Sequence, residues 1–434
     1  MDREMVYSGY EWLGDIPEDW TTCRTKNMFN FGKGLSITKD NLVGTGTPVI
    51  SYGQIHSKMN SGTALCNELI RFVPEEYLEA SPDSLVKKND FIFADTSEDL
   101  DGCGNCVFVD RSMNLFAGYH TIILRANNSA ENKYFAYLFK TDAWRSQIRS
   151  KVSGVKVFSI SRKILADTVL IVPSECDQRR IVDYLDCKCA VIDAVISKTN
   201  ATIEEYKKLK QSIIVEAVTK GIQRNRQMKP SGIDWIGKLP TDWKVQRGKH
   251  LFVETNERSI DGHEELLTVS HITGVTPRSM KNVNMFMAES LVDYKVCHIG
   301  DLAANTMWMW QGAIGVSKYE GVISPSYNTY RQRNNSYYYG YLEYLLRIPN
   351  LVATYAAYST GITASRLRLY PDQFFSIMFP VPPMSEQKEI ADYLDKKCAE
   401  IDTLISKKAA LLGELENYKK SIIFEYVTGK KEVQ

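Results

Sequence analysis

The sequence predicts an α+β protein with a pseudo-twofold internal repeat, in which two mixed α/β domains alternate with two long helices that pair as an antiparallel coiled coil. Three observations predict this fold: a short motif occurs twice, a long segment occurs twice, and each long segment has apolar residues at coiled-coil spacing. The 434 residues are enough for roughly two to four domains.

The short motif is a tryptophan-containing stretch that stands before each variable region. Residues 8–20 read SGYEWLGDIPEDW, and residues 231–243 read SGIDWIGKLPTDW. Repetition of this kind indicates two copies of one structural unit. The variable regions that follow share only fragments. Their short β-rich runs, separated by clusters of Gly, Asn, Asp and Ser, predict mixed α/β domains.

The long segments begin at Pro173 and Pro382 and align without gaps, with about half of the positions identical. Most of their apolar residues step alternately by three and four positions, which is the seam of a coiled coil. Each helix of about 45 residues would measure roughly 65 Å. Packing the two seams against each other is the simplest way to bury them, although binding of another protein or dimerisation would bury them too. Each seam contains polar positions that can fix its register, namely Thr199 and Lys210, and Lys408 and Lys419.

The repeats predict four segments along the chain. Residues 1–172 form the first domain, 173–222 the first helix, 223–381 the second domain and 382–434 the second helix. The shared segments are the scaffold, and the divergent regions are where two different targets would be bound.

Composition narrows the class of protein. Nine scattered cysteines indicate reduced thiols in a cytoplasm and not a disulfide framework. There is no apolar stretch of about 18 residues, so no membrane span is expected, and the start of the chain lacks a secretory pattern. The net charge of +1 gives no hint of nucleic-acid binding, so such a partner would be held by local patches or together with another protein.

The sequence carries no recognisable catalytic apparatus. It lacks a GxxxxGK[ST] phosphate loop, an [ND]PP[YF] methyltransferase tetrapeptide and a histidine pair at zinc-ligand spacing. The GKG fragment at 32–34 is too weak for a nucleotide site, and the CxxC pair at 103–106 is only half of a zinc site. No metal or cofactor is therefore expected in this chain, which is typical of a binding protein or an assembly platform.

Two motifs, each present twice in the same order, resemble those of the specificity subunits of type I restriction-modification systems. One is the stretch 12–20 with its copy at 235–243, and the other is the helix-start pattern P-x-x-x-[DE]-Q-[RK]-x-I at 173–181 and 382–390. The similarity of organisation covers essentially the whole chain. The resemblance implies that each domain is a target recognition domain reading one half of a bipartite double-stranded DNA site, and that the helices set the spacing of the half-sites.

The resemblance also implies partner subunits. The helices would dock methyltransferase (M) subunits, and a restriction and translocase (R) subunit would join them. Methylation, translocation and cleavage would belong to those subunits, so S-adenosylmethionine, ATP and Mg are expected only there. The chain itself would be non-catalytic and cytoplasmic.

Candidate DNA-contacting residues are polar and aromatic side chains in turns that recur in both copies, together with basic residues near the end of each variable region. Arg and Gln suit paired hydrogen bonds to base edges, and Ser and Thr suit phosphate oxygens. The alternative for each is a local hydrogen bond within its turn. The candidates are Ser51, Tyr52, Gln54, Thr96, Lys156 and Arg162 in the first domain, and Ser270, His271, Thr306, Gln311, Arg366 and Arg368 in the second.

Two other interpretations stay open at this point. Two diverged domains on a shared scaffold also suit a non-catalytic coiled-coil adaptor that binds protein or RNA. An enzyme with unrecognised catalytic residues is the other. Selection of duplex DNA would separate the reader from the adaptor, and methyl transfer or cleavage by the isolated chain would favour the enzyme.

Overall fold

The computed structural model describes residues 3–127, 132–281, 290–361 and 367–433. The chain divides into two compact units, the first formed by Met1–Thr199 with Ala410–Gln434 and the second by Asn200–Ala409. Each unit contains one variable region and the parts of both long helices that pack against it. The units therefore divide each long helix, whereas the domain boundaries drawn from the repeats do not, and those boundaries stay a prediction.

The strands of the first unit are short and mostly antiparallel. They are β1 (Met5–Tyr7), β2 (Asp15–Pro17), β3 (Thr21–Arg24), β4 (Phe29–Lys33), β5 (Thr47–Ile50), β6 (Arg71–Val73), β7 (Leu85–Val86), β8 (Phe91–Ala94), β9 (Thr96–Ser97), β10 (Cys106–Phe108), β11 (Leu115–Ala117), β12 (Thr121–Ala126), β13 (Phe158–Ser159) and β14 (Val169–Val172). Its helices are α1 (Thr25–Met28), α2 (Tyr52–Ile55), α3 (Tyr77–Ala80), α4 (Lys133–Lys140), α5 (Asp142–Arg149), α6 (Arg162–Ala166) and the long α7 (Glu175–Lys220), which continues into the second unit.

The second unit has the same kinds of elements. Its strands are β15 (Met228–Pro230), β16 (Lys238–Pro240), β17 (Lys244–Arg247), β18 (Phe252–Thr255), β19 (Leu267–Ser270), β20 (Gly274–Pro277), β21 (Lys295–Cys297), β22 (Leu302–Ala304), β23 (Ile314–Val316), β24 (Gly321–Ile323), β25 (Asn328–Gln332) and β26 (Met378–Val381). Its helices are α8 (Gly248–Leu251), α9 (Tyr339–Leu345), α10 (Pro349–Tyr358), α11 (Pro371–Ser376) and the long α12 (Met384–Val427), which ends in the first unit. Within the described ranges, no helix has the length and hydropathy needed to cross a bilayer.

Both units contain the same four-stranded antiparallel sheet. Its order is β10-β8-β12-β4 in the first unit and β23-β22-β25-β18 in the second. Ala94 of β8 faces Thr121 of β12, and Ala304 of β22 faces Asn328 of β25, so the registers show which residues are equivalent in the two units. Every residue of β8 and β22 is buried, which explains why both strands are continuous apolar runs.

A second set of strands also recurs, with one difference. Strand β5 pairs with β6 antiparallel and with β11 parallel, and β19 pairs with β20 antiparallel while the residue before it bridges β24 in parallel. Residues 51–70, which include α2, connect β5 to β6, whereas a tight turn at 271–273 connects β19 to β20. The two units therefore differ in the connection that leaves this strand.

The repeated short motif ends in a tryptophan that donates to an acidic residue in the first turn of a long helix. Trp20 Nε1 lies 3.2 Å from Asp177 Oδ2, and Trp243 Nε1 lies 2.8 Å from Glu386 Oε2. Both tryptophans are buried. An arginine that precedes each tryptophan at the same separation bonds the same carboxylate, and these arginines are Arg3 and Arg226. Each copy of the motif therefore fastens the mixed α/β part of its unit to the start of a long helix.

The long helices pack antiparallel within each unit. Lys419 Nζ lies 2.5 Å from Asp193 Oδ1 in the first unit, and Lys210 Nζ lies 2.6 Å from Asp402 Oδ2 in the second. Two of the polar seam positions thus form equivalent ion pairs across the seam. The helices are 46 and 44 residues long, so the predicted lengths and the intramolecular pairing are both confirmed.

Tyrosines attach the mixed α/β part of each unit to the long helices. Tyr134 Oη donates to the Val427 carbonyl oxygen at 2.7 Å, and Tyr341 Oη donates to the Val218 carbonyl oxygen at 2.8 Å. The tyrosine one turn later bonds an aspartate of a long helix in both units, Tyr137 with Asp186 and Tyr344 with Asp395. Helices α4 and α9 are therefore equivalent residue by residue.

Candidate nucleic-acid interface

The residues that follow the central strand β8 form the start of the candidate site in the first unit. Asp95 leaves the buried sheet, and its Oδ1 lies 3.2 Å from His120 Nδ1. His120 has a backbone φ of 55° and directly precedes β12. His56 Nε2 lies 2.8 Å from the Thr96 carbonyl oxygen, which ties the segment after α2 to the same place. The pairing of β8 with β12 therefore gathers residues that are distant in sequence at one edge of the sheet.

Helix α2 presents Tyr52 at this edge and turns Ser51 inward. The Tyr52 ring stands edge-on to the His120 ring, with centroids 5.5 Å apart. Ser51 is fully buried, and its N–H donates to Gln54 Oε1 at 3.1 Å. A Cβ on Gly118 would lie only 2.1 Å from Ser51 Oγ, so the close approach of that glycine encloses the serine. Ser51 and Gln54 therefore hold the start of α2.

A short hairpin brings the two basic candidates of the first unit to the same side. Its strand β13 pairs with β9, which begins at Thr96. Arg162, the exposed first residue of α6, lines a cavity of about 490 Å³ together with Lys33, Thr96 and His120. Lys156 is exposed near the tip of the hairpin. Arg162 and Thr96 thus share one surface depression with a second cation and an imidazole.

The second unit has different chemistry at the equivalent strand end. Asn305 stands where the first unit has Asp95, and its Nδ2 donates to Tyr327 Oη at 2.8 Å. Thr306 Oγ1 donates to the Ser326 carbonyl oxygen at 2.8 Å. Burial raises the pKa of Tyr327, so its hydroxyl stays neutral. A neutral amide–phenol pair therefore replaces the carboxylate–imidazole pair of the first unit.

Two tryptophans continue this strand end in the second unit. Trp308 and Trp310 stack with ring centroids 6.3 Å apart and planes at 14°, and Trp308 is 49% exposed. Gln311 is half-buried in the same connection, at the end of a 3-10 turn, Met309–Gln311. The equivalent connection of the first unit is acidic instead, with Glu98, Asp99 and Asp101.

The remaining candidates of the second unit lie on other turns. Ser270 Oγ accepts from the Thr273 N–H at 3.1 Å in the turn between β19 and β20, and His271 is exposed in that turn. Arg368 is exposed and forms an isolated antiparallel bridge through its backbone. Arg366 lies outside the described residues. Thr306 and Gln311 are thus the second-unit candidates that share one connection.

Sequence reasoning missed Lys33, His120, Trp308 and Trp310. Lys33 belongs to the GKG fragment that was set aside as too weak for a nucleotide site. The signal for the tryptophans was available, because the run MWMW at 307–310 places large apolar side chains in a connection between two short strands.

The chemistry of both strand ends suits duplex DNA. Arginine and lysine can contact phosphates, imidazole and amide groups can bond base edges, and exposed aromatic or apolar side chains can pack against bases. Among the described residues no group of three or more His, Cys, Asp or Glu could hold a metal ion, and Cys103 and Cys106 are buried free thiols.

Known proteins share both the sequence pattern and the fold. The type I restriction modification DNA specificity domain family matches residues 17–205. A putative type I restriction enzyme MjaX specificity subunit of Methanocaldococcus jannaschii is 22% identical, over 97% of this chain and 96% of that protein. The StySPI specificity subunit of Salmonella potsdam is 20% identical, over 97% and 91% of the two chains.

Solved structures have the same fold over nearly the whole length. A chain from a study of complex assembly and conformational transition of the type I restriction-modification system aligns with a TM-score of 0.71 and 17% identity, over 96% of this chain and 99% of that chain. The HsdS subunit of Thermoanaerobacter tengcongensis aligns with a TM-score of 0.52 and 18% identity, over 96% and 98%. These likenesses concern the fold.

The family match, the two repeated motifs and the duplicated fold together define a DNA sequence-recognition protein built on paired helices. Residues 17–205 match the type I restriction modification DNA specificity domain, and the chain is similar over nearly its whole length to specificity subunits of type I restriction enzymes. The resemblance carried by the motifs is thereby confirmed, and the adaptor interpretation is not favoured.

Proposed function

We propose that each unit reads one half of a bipartite double-stranded DNA site through the connections at the end of its central strand. The observation that carries this proposal is the exchange of side chains at one equivalent place. Asp95 and His120 of the first unit correspond to Asn305 and Tyr327 of the second, on sheets of the same order and register. A protein that reads two different half-sites needs such an exchange on a constant framework.

The proposed contact residues follow from exposure and grouping. In the first unit Arg162, Lys156 and Lys33 would contact phosphates, while Tyr52, Thr96 and His120 would face base edges. In the second unit Thr306 and Gln311 would lie against the bases with Trp308, and Ser270, His271 and Arg368 would extend the contact. Arg366, outside the described residues, stays a candidate from the sequence alone. Ser51 and Gln54 leave the proposed set because one is buried and the other caps its helix.

We also propose partners for the helices. The paired helices would set the spacing between the half-sites and dock methyltransferase subunits, and a restriction and translocase subunit would join that complex. The chain would be non-catalytic, so the S-adenosylmethionine, ATP and Mg that methylation, translocation and cleavage consume or require would be bound by the partners. A cytoplasmic location suits this role and suits the nine free cysteines.

The test is selection from a random duplex library with the full chain and its cognate methyltransferase subunit. We expect enrichment of two short defined blocks around an undefined spacer of fixed length. The same selection with Trp308→Ala should alter one block only, and with Arg162→Ala it should leave both blocks readable at lower affinity. Absence of enrichment at moderate salt, with the complex shown to be assembled, would contradict the proposal.

A further inference from the structure

The first unit contains a large cavity that the strand-end site does not use. Its volume is about 880 Å³, and it lies between the segment after α2, the start of α5 and the parts of α7 and α12 that belong to this unit. Its wall contains more cations than carboxylates. The cations are Lys140, Arg145, Arg149, Lys419 and Lys420, and the carboxylates are Asp101, Asp142, Asp193 and Glu416.

Three of these cations, Lys140, Arg145 and the exposed Lys420, have no carboxylate partner among the residues that the structure describes. Lys419 pairs with Asp193 and Arg149 pairs with Asp142, at 2.5 and 3.0 Å. Within the described parts of the chain, no carboxylate forms an ion pair with Lys140 or Arg145. The Arg145 Nε–H instead donates to the Phe139 carbonyl oxygen at 2.8 Å, which leaves the end of its guanidinium for another acceptor.

The environment of Lys140 and Arg145 disfavours their charge. Burial lowers the pKa of Lys140 to about 8, and the like charges of Lys419 and Arg145 add to the effect. Burial also lowers the pKa of Arg145. An anion in the cavity would relieve both penalties, because it would restore an opposite charge beside each of these half-buried cations.

In the second unit the cation at the equivalent position is paired with a carboxylate. Arg347 stands where the first unit has Lys140, since each lies at the same separation from the tyrosine that bonds a long helix. Arg347 pairs with Glu343 at 2.6 Å, and Glu343 Oε2 accepts from the Val316 N–H at 2.8 Å. The first unit has Ala136 in place of that glutamate.

Arg145 is replaced in the second unit as well. Its equivalent is Val352. The two positions are equivalent because each side chain lies against a glycine at the corresponding place in its unit. A Cβ on Gly104 would lie 3.2 Å from Arg145 Cγ, and a Cβ on Gly312 would lie 3.0 Å from Val352 Cγ2, both glycines having a positive φ. The unpaired cations are therefore specific to the first unit, and the shared fold does not require them.

We propose that this cavity binds the phosphate groups of a nucleotide-sized ligand, with Lys140 and Arg145 as the principal anchors. The volume lies within the range of small-molecule sites, roughly 300–1,000 Å³. Arginine and lysine side by side suit a chain of phosphate oxygens. Ile196, Ile423 and Phe424 give the cavity an apolar side where a base or sugar can pack. The site is separate from the proposed DNA-reading edge and does not depend on it.

The test is calorimetric titration of the full chain with ATP, with inorganic tripolyphosphate and with adenosine. We expect ATP and tripolyphosphate to bind and adenosine to bind far more weakly. Lys140→Gln or Arg145→Gln should weaken ATP binding by about tenfold or more, because each removes a charge-assisted contact. Lys140→Arg, which keeps the charge, should retain most of the affinity, and Lys207→Gln, an exposed lysine of the second unit, is the charge-matched control.

Several outcomes would overturn the proposal. One is the absence of ATP and tripolyphosphate binding, and another is equal binding by the wild type and Lys140→Gln with both folded by circular dichroism. A third is duplex DNA affinity that falls in Lys140→Gln while ATP does not bind, which would assign the cations to the DNA backbone. Should the buried substitutions impair folding, Lys420→Gln on the exposed rim must still weaken ATP binding severalfold.

Discussion

The strand ends of the two units lie at equivalent positions of two equivalent sheets, but they carry different functional groups. The first unit has a carboxylate beside an imidazole, Asp95 with His120, and an acidic connection beyond it. The second has an amide beside a phenol, Asn305 with Tyr327, and a connection with two stacked tryptophans. The framework contacts, by contrast, recur with nearly the same distances. The contacts that stabilise the fold are thus the same in the two units, whereas the outward-facing side chains at the strand ends differ.

This contrast predicts that equivalent framework substitutions lower the stability of the two units by similar amounts. Strand-end substitutions should instead affect DNA binding differently in the two units. The largest framework effect should come from the tryptophan anchors. Trp20→Ala and Trp243→Ala each remove a buried indole that donates to a helix carboxylate, so each should cost about 3–5 kcal/mol of stability. Hydrogen exchange read peptide by peptide should show loss of protection in the unit that carries the change.

The matched control keeps the aromatic ring and deletes the N–H donor. Trp20→Phe leaves Asp177 bonded to Arg3, and Trp243→Phe leaves Glu386 bonded to Arg226, so both should cost much less than the alanine variants. Unchanged protection in the first unit of Trp20→Ala would show that the two anchors are not equivalent.

Strand-end substitutions should separate phosphate contact from base contact. Arg162→Ala should weaken binding to every duplex in similar measure and reduce the salt dependence by about one unit of slope. Gln311→Ala should instead relax the preference at one base pair of the second half-site, by about 1–3 kcal/mol. Titrations at several salt concentrations, with matched and mismatched duplexes, measure both. Equal effects of Gln311→Ala on matched and mismatched sites would remove it from the reading surface.

The paired long helices could be predicted from the sequence because they depend on local periodicity and on repetition. Seam spacing predicted helices of about 45 residues, and Leu185 and Leu394, at equivalent seam positions, are fully buried. The anchoring role of the acidic residues near each helix start could not be seen, since Trp20 and Asp177 meet only in the folded chain.

The site was less accessible because it is assembled by sheet register. His120 reaches Asp95 only through the pairing of β12 with β8, and nothing in the local sequence of either residue indicates it. Ser51 was a reasonable candidate from its turn, but Gly118 packs against its hydroxyl from a distant strand end. Exposure of a polar side chain is a tertiary property, so motif reasoning named both exposed residues and packing residues.

A smaller framework effect is expected at the helix seam. Lys419→Met and Lys210→Met each remove one of two equivalent ion pairs, whose aspartates are 55% exposed. Partly exposed pairs contribute about 0.2–1 kcal/mol, and the two units should lose similar amounts. Double-mutant cycles with Asp193→Ala and Asp402→Ala measure the coupling energy of each pair. Coupling energies that differ by more than their error would show that the two ion pairs do not contribute equally to stability.

The smallest expected effect is a pH dependence of the strands around His298 in the second unit. His298 lies between two carboxylates, with Nε2 2.9 Å from Glu257 and Nδ1 2.8 Å from Glu320. The hydrogen bond to Glu257, followed by that to Glu320, raises the pKa of His298 above its usual 6.5. A raised folded-state pKa gives stability that is fully present below about pH 6.5 and is lost as pH rises through the folded-state value.

The first unit supplies the control for this last effect. Lys87 has the same role in its turn as His298, because both residues directly follow an outer strand and donate their backbone N–H to the aspartate that precedes a central strand, at 2.9 and 3.1 Å. Since His298 is 39% exposed, screening by water limits its contribution to a few tenths of a kcal/mol. Hydrogen exchange at pH 6 and pH 8, corrected for intrinsic rates, should show a small loss of protection around β21 and none around β7. His298→Gln should abolish the difference, and a pH response that survives this substitution would have to come from another group.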